Sequence, residues 1–186
     1  VTGTDTILAS EVCERAAQFM NKQGALCVVA PPLWFGLAHH HINFGGTFSL
    51  TLATYSQLLS DICASIRGAG FNDIVLVNGH GGNMAALTAI ANDIAVQSGH
   101  SIYTTTYFIE AANEISDLLE GQSGLQHAGE AETSMIWAIS PNLVRIGSIV
   151  DGPDFDLQNV LQPQLRRYEP FSSITSNGVS GQSSQA

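Results

Sequence analysis

Histidines stand beside glycines or carboxylates at several points of this chain, and each such stretch could bind a metal ion or transfer a proton. The segment VNGHGGN, residues 77–83, surrounds His80 with three glycines and two amides, directly after the apolar run IVLV. Glycine permits a sharp turn and lets a ligand approach the backbone without meeting a Cβ. The segment therefore predicts either a ligand site or a histidine that caps a turn. A phosphate cradle fits less well, since it normally adds a lysine or the spacing GxGxxG.

A second stretch, HAGEAETS, places His127 just before Glu130 and Glu132 at the start of a predicted helix. Two carboxylates in a first helical turn would stabilise that turn by about 0.3 to 1 kcal/mol each through the helix dipole. An imidazole next to accessible carboxylates is also the combination that hydrolytic metal sites need. Asp5, in TGTDT ahead of the first predicted helix, has the same two interpretations, a helix cap or a metal ligand.

Three adjacent histidines, 39–41, lie in the segment GLAHHHINFGGT. Such a run resembles a metal-binding tract. Neighbouring side chains point in different directions in any regular backbone, so we expect one or two of the three to serve any one site.

The spacing of apolar residues predicts alternating helices and strands. The predicted helices cover residues 6–22, 51–67, 83–97, 109–119 and 128–139. The predicted strands cover residues 25–30, 74–77 and 102–108. Strands separated by helices of this length need crossover connections, which predicts an α/β fold whose mainly parallel sheet has helices on both faces. Ligands gather at the carboxyl ends of strands in such sheets, where His80 would lie.

Composition excludes two classes of partner. The formal charge is −10 and the largest basic cluster is Arg166–Arg167, so we expect no electrostatic binding of nucleic acid. The longest apolar stretch, residues 25–38, is interrupted by Pro31–Pro32 and is shorter than the roughly 20 residues that cross a bilayer. We therefore expect no membrane span.

The remaining compositional signals concern location and assembly. Cys13, Cys27 and Cys63 are far apart in apolar segments, which predicts buried free thiols and a reducing, cytoplasmic compartment. Only 12% of residues are charged, and so few charged residues suit a chain that buries much of its surface in an oligomer. Composition alone favours a loop or partial disorder beyond residue 150, where Pro, Ser and Gly are frequent.

Taken together, the four motifs resemble the creatininase family of metal-dependent amidohydrolases. TGTDT, GxxxHHxxFxGT, NGHGGN and HAGExETS occur in the family's order over residues 2–140. The tail segment 178–181, GVSG, looks like the family's GVxGDPxxA, with Gln182 and Ser183 in place of Asp-Pro. The resemblance implies a three-layer α/β fold, a hexamer, and two divalent ions that are Zn, Mn or Fe.

The resemblance also implies roles for individual residues. Asp5 resembles the carboxylate that bridges the two ions, His80 and Glu132 resemble one further ligand each, and His127 resembles the catalytic acid/base. We assign substrate contacts to His41, Gly81, Gly82 and Asn83. A metal-activated water would attack an amide carbon while the acid/base histidine protonates the departing nitrogen.

The expected substrate is a small molecule with a non-peptide or cyclic amide or formamide bond. Gly82 stands where creatinine-hydrolysing members have glutamate, so we do not expect creatinine. The family's Glu-x-His metal motif would lie upstream of Val1, and we therefore expect one creatininase-like domain over residues 1–186 that is truncated at both ends. Two alternatives stay open: a non-catalytic nucleotide- or phosphate-binding module, and a pseudoenzyme subunit of the same fold.

Overall fold

The computed structural model describes residues 3–122, 124–153 and 170–186. Arg166–Arg167 and the first residue of TGTDT lie outside these residues. Contacts divide the chain into two compact units, each described below by itself. The sheet unit comprises Asp5–Ala38 and Phe48–Glu110. The second unit, called the α6 unit after its helix α6 (Glu130–Ile139), comprises Val1–Thr4, His39–Thr47 and Ala111–Ala186. That the whole chain is one domain stays a prediction.

The sheet unit contains the parallel strands of the fold. Strand β1 (Ile74–Asn78) pairs in parallel with β2 (Ile102–Thr106), from Ile74 opposite Ile102 to Asn78 opposite Thr106. Helix α3 (Met84–Ser98) makes the crossover between them, as a parallel pair requires. Both strands thus end at the same edge of the sheet, and the loop that carries His80 follows β1 directly.

Helices α1 (Thr4–Lys22) and α2 (Leu52–Gly68) precede the strands, and the short α4 (Tyr107–Glu110) follows them. Helix α2 begins at the predicted place because Thr51 caps it, its Oγ1 accepting a hydrogen bond from the Thr54 N–H at 3.2 Å. Helix α3 ends at Gly99, whose φ of 70° provides a left-handed cap.

Apolar side chains of α2, α3 and β1 form the core of the sheet unit. The buried members of this core are Tyr55, Leu59, Cys63, Ile74, Leu87, Ile90 and Ile94. Burial of these side chains fixes α2 and α3 against the strands and thereby holds the carboxyl end of β1 in place.

The α6 unit contains α5 (Ala112–Leu118), α6 (Glu130–Ile139) and several short 3-10 turns. Its 3-10 segments run over His39–Phe44, Pro141–Leu143, Ile146–Ser148, Phe171–Ser173 and Ser183–Gln185. The end of the chain is ordered against this unit, since Thr175, Ser180 and Ser183 are buried. Residues 170–186 contain neither α-helix nor strand, in agreement with the predicted loop, but two 3-10 turns and the hydrogen bonds of these polar groups, which composition does not reveal, hold the segment in place.

The alternation of helices with parallel strands confirms the predicted α/β fold, with four differences in detail. Residues 25–30 form no strand, since a strand needs a hydrogen-bonded partner and within the described part of the chain this segment is paired with neither β1 nor β2. The third predicted strand ends at Thr106, and its last residues form α4. The helix predicted over 109–119 is divided between α4 and α5, and α1 begins at Thr4, so Asp5 lies inside its first turn.

All three cysteines are free, as predicted. Cys63 is buried, whereas Cys13 and Cys27 are only partly buried. Among the described residues, no helix combines the length and the apolar character that crossing a membrane requires.

Candidate functional site

Asp5 and His80 meet at the carboxyl end of β1. The Asp5 Oδ2 lies 2.8 Å from the His80 Nδ1, and the two side chains are 36% and 15% exposed. The first turn of α1 supplies the carboxylate, and the glycine loop after β1 supplies the imidazole. Two residues that are 75 positions apart in the sequence therefore form one polar pair.

The contact of the second ring nitrogen of His80 decides whether Nδ1, the atom that faces Asp5, carries a hydrogen. The Nε2 lies 3.2 Å from the backbone carbonyl oxygen of Leu37, and a carbonyl can only accept, so Nε2 carries the hydrogen. In the neutral ring Nδ1 then has a lone pair, and this lone pair points at a carboxylate oxygen. Two electron-rich atoms at 2.8 Å need a proton or a cation to join them.

This donor set fits a divalent metal ion. Carboxylate oxygen and imidazole nitrogen are both ligands of Zn and Mn. Metal-bound histidines almost always donate their other ring N–H to a carboxylate, a backbone carbonyl or water, as His80 does to Leu37. Asp5 and His80 are the residues that could hold the ion.

Asn78, the last residue of β1, holds the loop in shape. Its Nδ2 donates to the His80 carbonyl oxygen at 2.9 Å and lies 3.1 Å from the Thr106 Oγ1, and its Oδ1 accepts from the His80 N–H at 3.1 Å. Asn78 is 4% exposed, so these bonds are shielded from water. The motifs predicted no role for Asn78, although an amide at the end of a buried strand was the available signal.

Asn83 extends the same network. Its Oδ1 accepts from the Leu37 N–H at 2.8 Å, and its Nδ2 donates to the Asn78 Oδ1 at 3.2 Å. The same residue thus fixes the Leu37 segment, whose carbonyl accepts from His80. The Asn83 side chain therefore holds the loop in place, while the substrate contact expected of it stays a prediction.

Two alternative interpretations of the glycine loop find little support in its geometry. His80 precedes the 3-10 turn Gly81–Asn83 but makes no side-chain capping bond to it. The backbone N–H groups of His80 and Asn83 are already donated to the Asn78 side chain and the His80 carbonyl. A phosphate cradle needs such N–H groups directed at the ligand.

In the α6 unit, His127 packs among aromatic rings. Its ring stacks on that of His41, with centroids 4.2 Å apart and an angle of 18° between planes. Phe171 contacts His127 edge-on at 5.0 Å and His41 at 4.8 Å. The His40 ring lies 4.1 Å from that of His41. The predicted acid/base and a predicted substrate contact are therefore neighbours.

Glu132 is held by the turn that precedes α6. Its Oε2 accepts a hydrogen bond of 2.6 Å from the Ala128 N–H, and the residue is only 7% exposed. Ala128 has a φ of 52°, the one positive value at a non-glycine position in the described residues. Strained backbone of this kind clusters at functional sites, because the surrounding structure must maintain it.

Glu130 has a different function from Glu132. Its two carboxylate oxygens accept from the backbone N–H groups of Glu120 and Gly121 at 2.7 and 2.8 Å. The Gln122 Oε1 in turn accepts from the Glu130 N–H at 3.0 Å and from the Gln182 N–H at 2.9 Å. Glu130 and Gln122 therefore fasten the turn before α6, a role that the sequence analysis missed because it depends on contacts with distant backbone.

The structure thus brings the predicted site residues together in two groups. Asp5, His80 and Asn83 lie at the end of β1 in the sheet unit, where Gly81 has open space around its α-carbon. His41, His127 and Glu132 lie in the α6 unit. Asn78 and Glu130, which lie within the motifs, and Gln122, which lies outside them, support these groups through hydrogen bonds that the motifs did not predict.

Comparison with characterised proteins places this arrangement in a family. The chain is 29% identical over 168 residues to the mycofactocin precursor peptide peptidase of Mycobacterium ulcerans (strain Agy99), covering 88% of this chain and 61% of that protein. It is 29% identical to the 3-dehydro-scyllo-inosose hydrolase of Thermotoga maritima, covering 81% of this chain and 48% of that protein. It is 30% identical to the creatinine amidohydrolase of Pseudomonas putida, covering 80% of this chain and 62% of that protein. The chain spans 48% to 62% of the length of these relatives.

Solved structures agree in fold. A crystal structure of creatinine amidohydrolase (creatininase) superposes with a TM-score of 0.77 at 23% identity, covering 99% of this chain and 74% of that one. A creatininase structure described with Mn gives a TM-score of 0.76 at 25% identity, with the same coverage. The sequence model of the creatininase family, described as creatinine amidohydrolase, matches residues 1–186. This chain therefore belongs to the creatininase family.

Proposed function

We propose that this chain is the catalytic part of a metal-dependent hydrolase that cleaves an amide C–N bond in a small molecule. The observation that carries the proposal is the Asp5 and His80 pair, whose 2.8 Å contact joins two metal-ligating atoms while Leu37 holds the other ring nitrogen. Family membership supports the reaction class, since the relatives above are an amidohydrolase, a peptidase and a further hydrolase.

We propose Asp5, His80 and Glu132 as ligands of two divalent ions, which are Zn, Mn or Fe. The Mn in the description of a related creatininase supports this choice of metals. When bound, such ions lower the pKa of a coordinated water and polarise the substrate carbonyl. The residues of this chain then have to orient the substrate and move protons.

His127 is the proposed acid/base that protonates the departing nitrogen. An imidazole suits this step because its ordinary pKa of about 6.5 lets it gain and lose a proton near neutral pH. Stacking on His41 and contact with Phe171 restrict the ring to one orientation. His41, Gly81, Gly82 and Asn83 are the proposed substrate contacts, and the glycines there leave room for a ligand.

The substrate proposal is a non-peptide or cyclic amide. Gly82 in place of the glutamate of creatinine-hydrolysing members argues against creatinine. Hydrolysis of a linear peptide, as the name of the mycobacterial relative suggests for that protein, would contradict this part of the proposal and leave the metal chemistry standing. We also propose that the protein forms a homo-oligomer, the hexamer that the family resemblance implies. We propose a cytoplasmic location as well.

The decisive experiment measures bound metal and amide hydrolysis on the same preparations. Protein produced with Zn, Mn or Fe is analysed by elemental mass spectrometry and assayed on cyclic amides, formamides and short peptides before and after chelation. We expect metal-dependent hydrolysis, loss of metal and activity in Asp5→Asn and His80→Asn, and loss of activity with retained metal in His127→Asn. Glu14→Gln, a neutralised exposed carboxylate on the same helix as Asp5, is the matched control and should retain both.

The two alternatives give different results in this experiment. A nucleotide- or phosphate-binding module would bind its ligand equally well in chelator. A pseudoenzyme subunit would fold and assemble while holding little metal. Either result, or equal metal content in Asp5→Asn and Glu14→Gln, would overturn the proposal.

A further inference from the structure

We propose that Ser180 is a positioning residue for this reaction, acting through the peptide bond between His127 and Ala128. The inference rests on the roles proposed above for His127 and Glu132. Ser180 touches neither proposed reacting group with its side chain. It holds the backbone from which both groups take their orientation.

The peptide between His127 and Ala128 is bonded on both sides. Its carbonyl oxygen, on His127, accepts from the Ser180 N–H at 2.9 Å. Its N–H, on Ala128, donates to the Glu132 Oε2 at 2.6 Å. A peptide is rigid and planar, so a rotation that weakens the bond to Ser180 also turns the N–H away from the carboxylate.

The Ser180 side chain anchors this contact. The residue is 1% exposed, and its Oγ lies 2.9 Å from the Gln126 Oε1 and 3.0 Å from the Pro153 carbonyl oxygen. The single hydroxyl hydrogen can serve one of these oxygens at a time, and either bond keeps the residue in place. Ser180 therefore engages the side chain of the residue before His127 and the carbonyl of His127 itself.

The turn needs such external support because its backbone is strained. A non-glycine residue at a φ of 52°, as Ala128 has, costs of order 1 to 3 kcal/mol and persists only when its surroundings maintain it. The segment around Ser180 is itself fixed, since the Gly181 N–H donates to the Pro153 carbonyl at 3.1 Å and the Gln182 N–H to the Gln122 side chain at 2.9 Å. These hydrogen bonds hold residues 180–182 in place, and this segment in turn supports the turn at Ala128.

The chain offers a closely matched pair of variants, Ser180→Ala and Ser183→Ala. Both serines belong to the same tail segment, both are at most 5% exposed, and each hydroxyl bonds a backbone carbonyl, that of Val150 for Ser183 at 2.6 Å. Deleting either hydroxyl should lower stability similarly. Only the deletion at Ser180 should disturb His127.

The first measurement separates kcat from KM for metal-loaded enzyme on the amide that wild type cleaves. We expect Ser180→Ala to lower kcat by about 10-fold to 100-fold, the range for a misplaced catalytic group, with KM close to wild type. Ser183→Ala should keep both constants. Equal losses in the two variants would show a general packing effect and overturn the inference.

The second measurement does not depend on activity. The ring carbon and proton resonances of His127, assigned by their absence in His127→Gln, are compared by NMR in wild type and both variants. We expect them to move in Ser180→Ala and to stay in Ser183→Ala. If wild type proves inactive while this contrast is observed, the proposed function fails and the positioning role stands. An unchanged His127 signal in Ser180→Ala would sink the positioning role whatever the activity.

Discussion

The backbone carbonyl oxygen of Asp5 lies so close to Gly79 that a Cβ built on this glycine would be 2.5 Å from it. The same Cβ would lie 3.0 Å from the Cβ of Ala9. Glycine at this position therefore lets α1 approach the loop that carries His80. The contact between Asp5 and His80 therefore depends on residue 79 being a glycine.

Gly79→Ala should consequently lower the free energy of unfolding by about 1 to 3 kcal/mol, the usual cost of overpacking. Backbone atoms of α1 would have to shift, since the clash is with main chain. Gly81→Ala is the control within the same loop, because its added Cβ would meet nothing within 4 Å. Urea unfolding monitored by circular dichroism measures both variants, and similar midpoints for the two would contradict the prediction.

Local patterns were sufficient to predict much of this fold. The apolar spacing predicted α2, and the apolar run before VNGHGGN predicted β1, whereas the Thr51 cap became visible only in the structure. The failed strand at 25–30 has the composition of a strand, but composition does not say whether a partner strand is available. Motifs likewise drew attention to Asp5 and His80, which the structure places in contact, whereas the Leu37 carbonyl next to His80 lies 43 residues away and has no side-chain signature.

The positive φ of Ala128 predicts opposite effects for two substitutions. Ala128→Gly should raise the free energy of unfolding by about 0 to 2.5 kcal/mol, because relief of about 1 to 3 kcal/mol of strain exceeds the cost of about 0.5 to 1 kcal/mol of glycine entropy in the unfolded chain. Ala128→Val should lower it by at least about 1 kcal/mol, since β-branching disfavours this backbone conformation further.

Equilibrium urea denaturation of the two Ala128 variants beside wild type measures this difference. At a position with ordinary helical or extended backbone, the glycine variant would not be more stable than the valine variant. A valine variant as stable as the glycine variant would therefore show that the turn does not hold the left-handed conformation.

Glu130 should contribute to stability, in contrast to the metal role proposed for Glu132. Glu130→Ala would remove the acceptor of the Glu120 and Gly121 N–H groups; because these two residues are exposed, water can replace it, and the cost should be about 1 to 3 kcal/mol for the two bonds. Glu130→Gln keeps one oxygen and should cost roughly half as much. Thermal or urea unfolding measures the change.

The matched control for Glu130 is Glu114→Ala, which removes an exposed carboxylate from the first turn of α5. Exposed substitutions of this kind usually change stability by less than about 0.5 kcal/mol. If Glu130→Ala were equally mild, the two backbone bonds would not be what holds the turn before α6.

Cys63 should be unreactive in the folded protein. The side chain is 1% exposed, and burial raises the pKa of its thiol above the ordinary 9.0, with a smaller opposing effect from Arg67. The thiolate is the nucleophile, so a buried neutral thiol reacts slowly. In the variant Cys13→Ser/Cys27→Ser, an aromatic disulfide reagent at pH 8 should titrate almost no thiol within minutes and one thiol after addition of guanidinium chloride. Rapid labelling of the native variant would contradict the burial of Cys63.

The raised pKa of the Cys63 thiol makes the free energy of unfolding depend on pH. Because the pKa of the Cys63 thiol is higher in the folded than in the unfolded chain, the unfolded chain loses its proton first as the pH rises. The contribution of the buried thiol is fully present below about pH 9 and is lost as the pH rises through the raised folded value. Urea midpoints at pH 8 and pH 10 should therefore fall more in wild type than in Cys63→Ala, which has no thiol to titrate at this position. A fall of equal size in both proteins would assign the alkaline loss of stability to other groups.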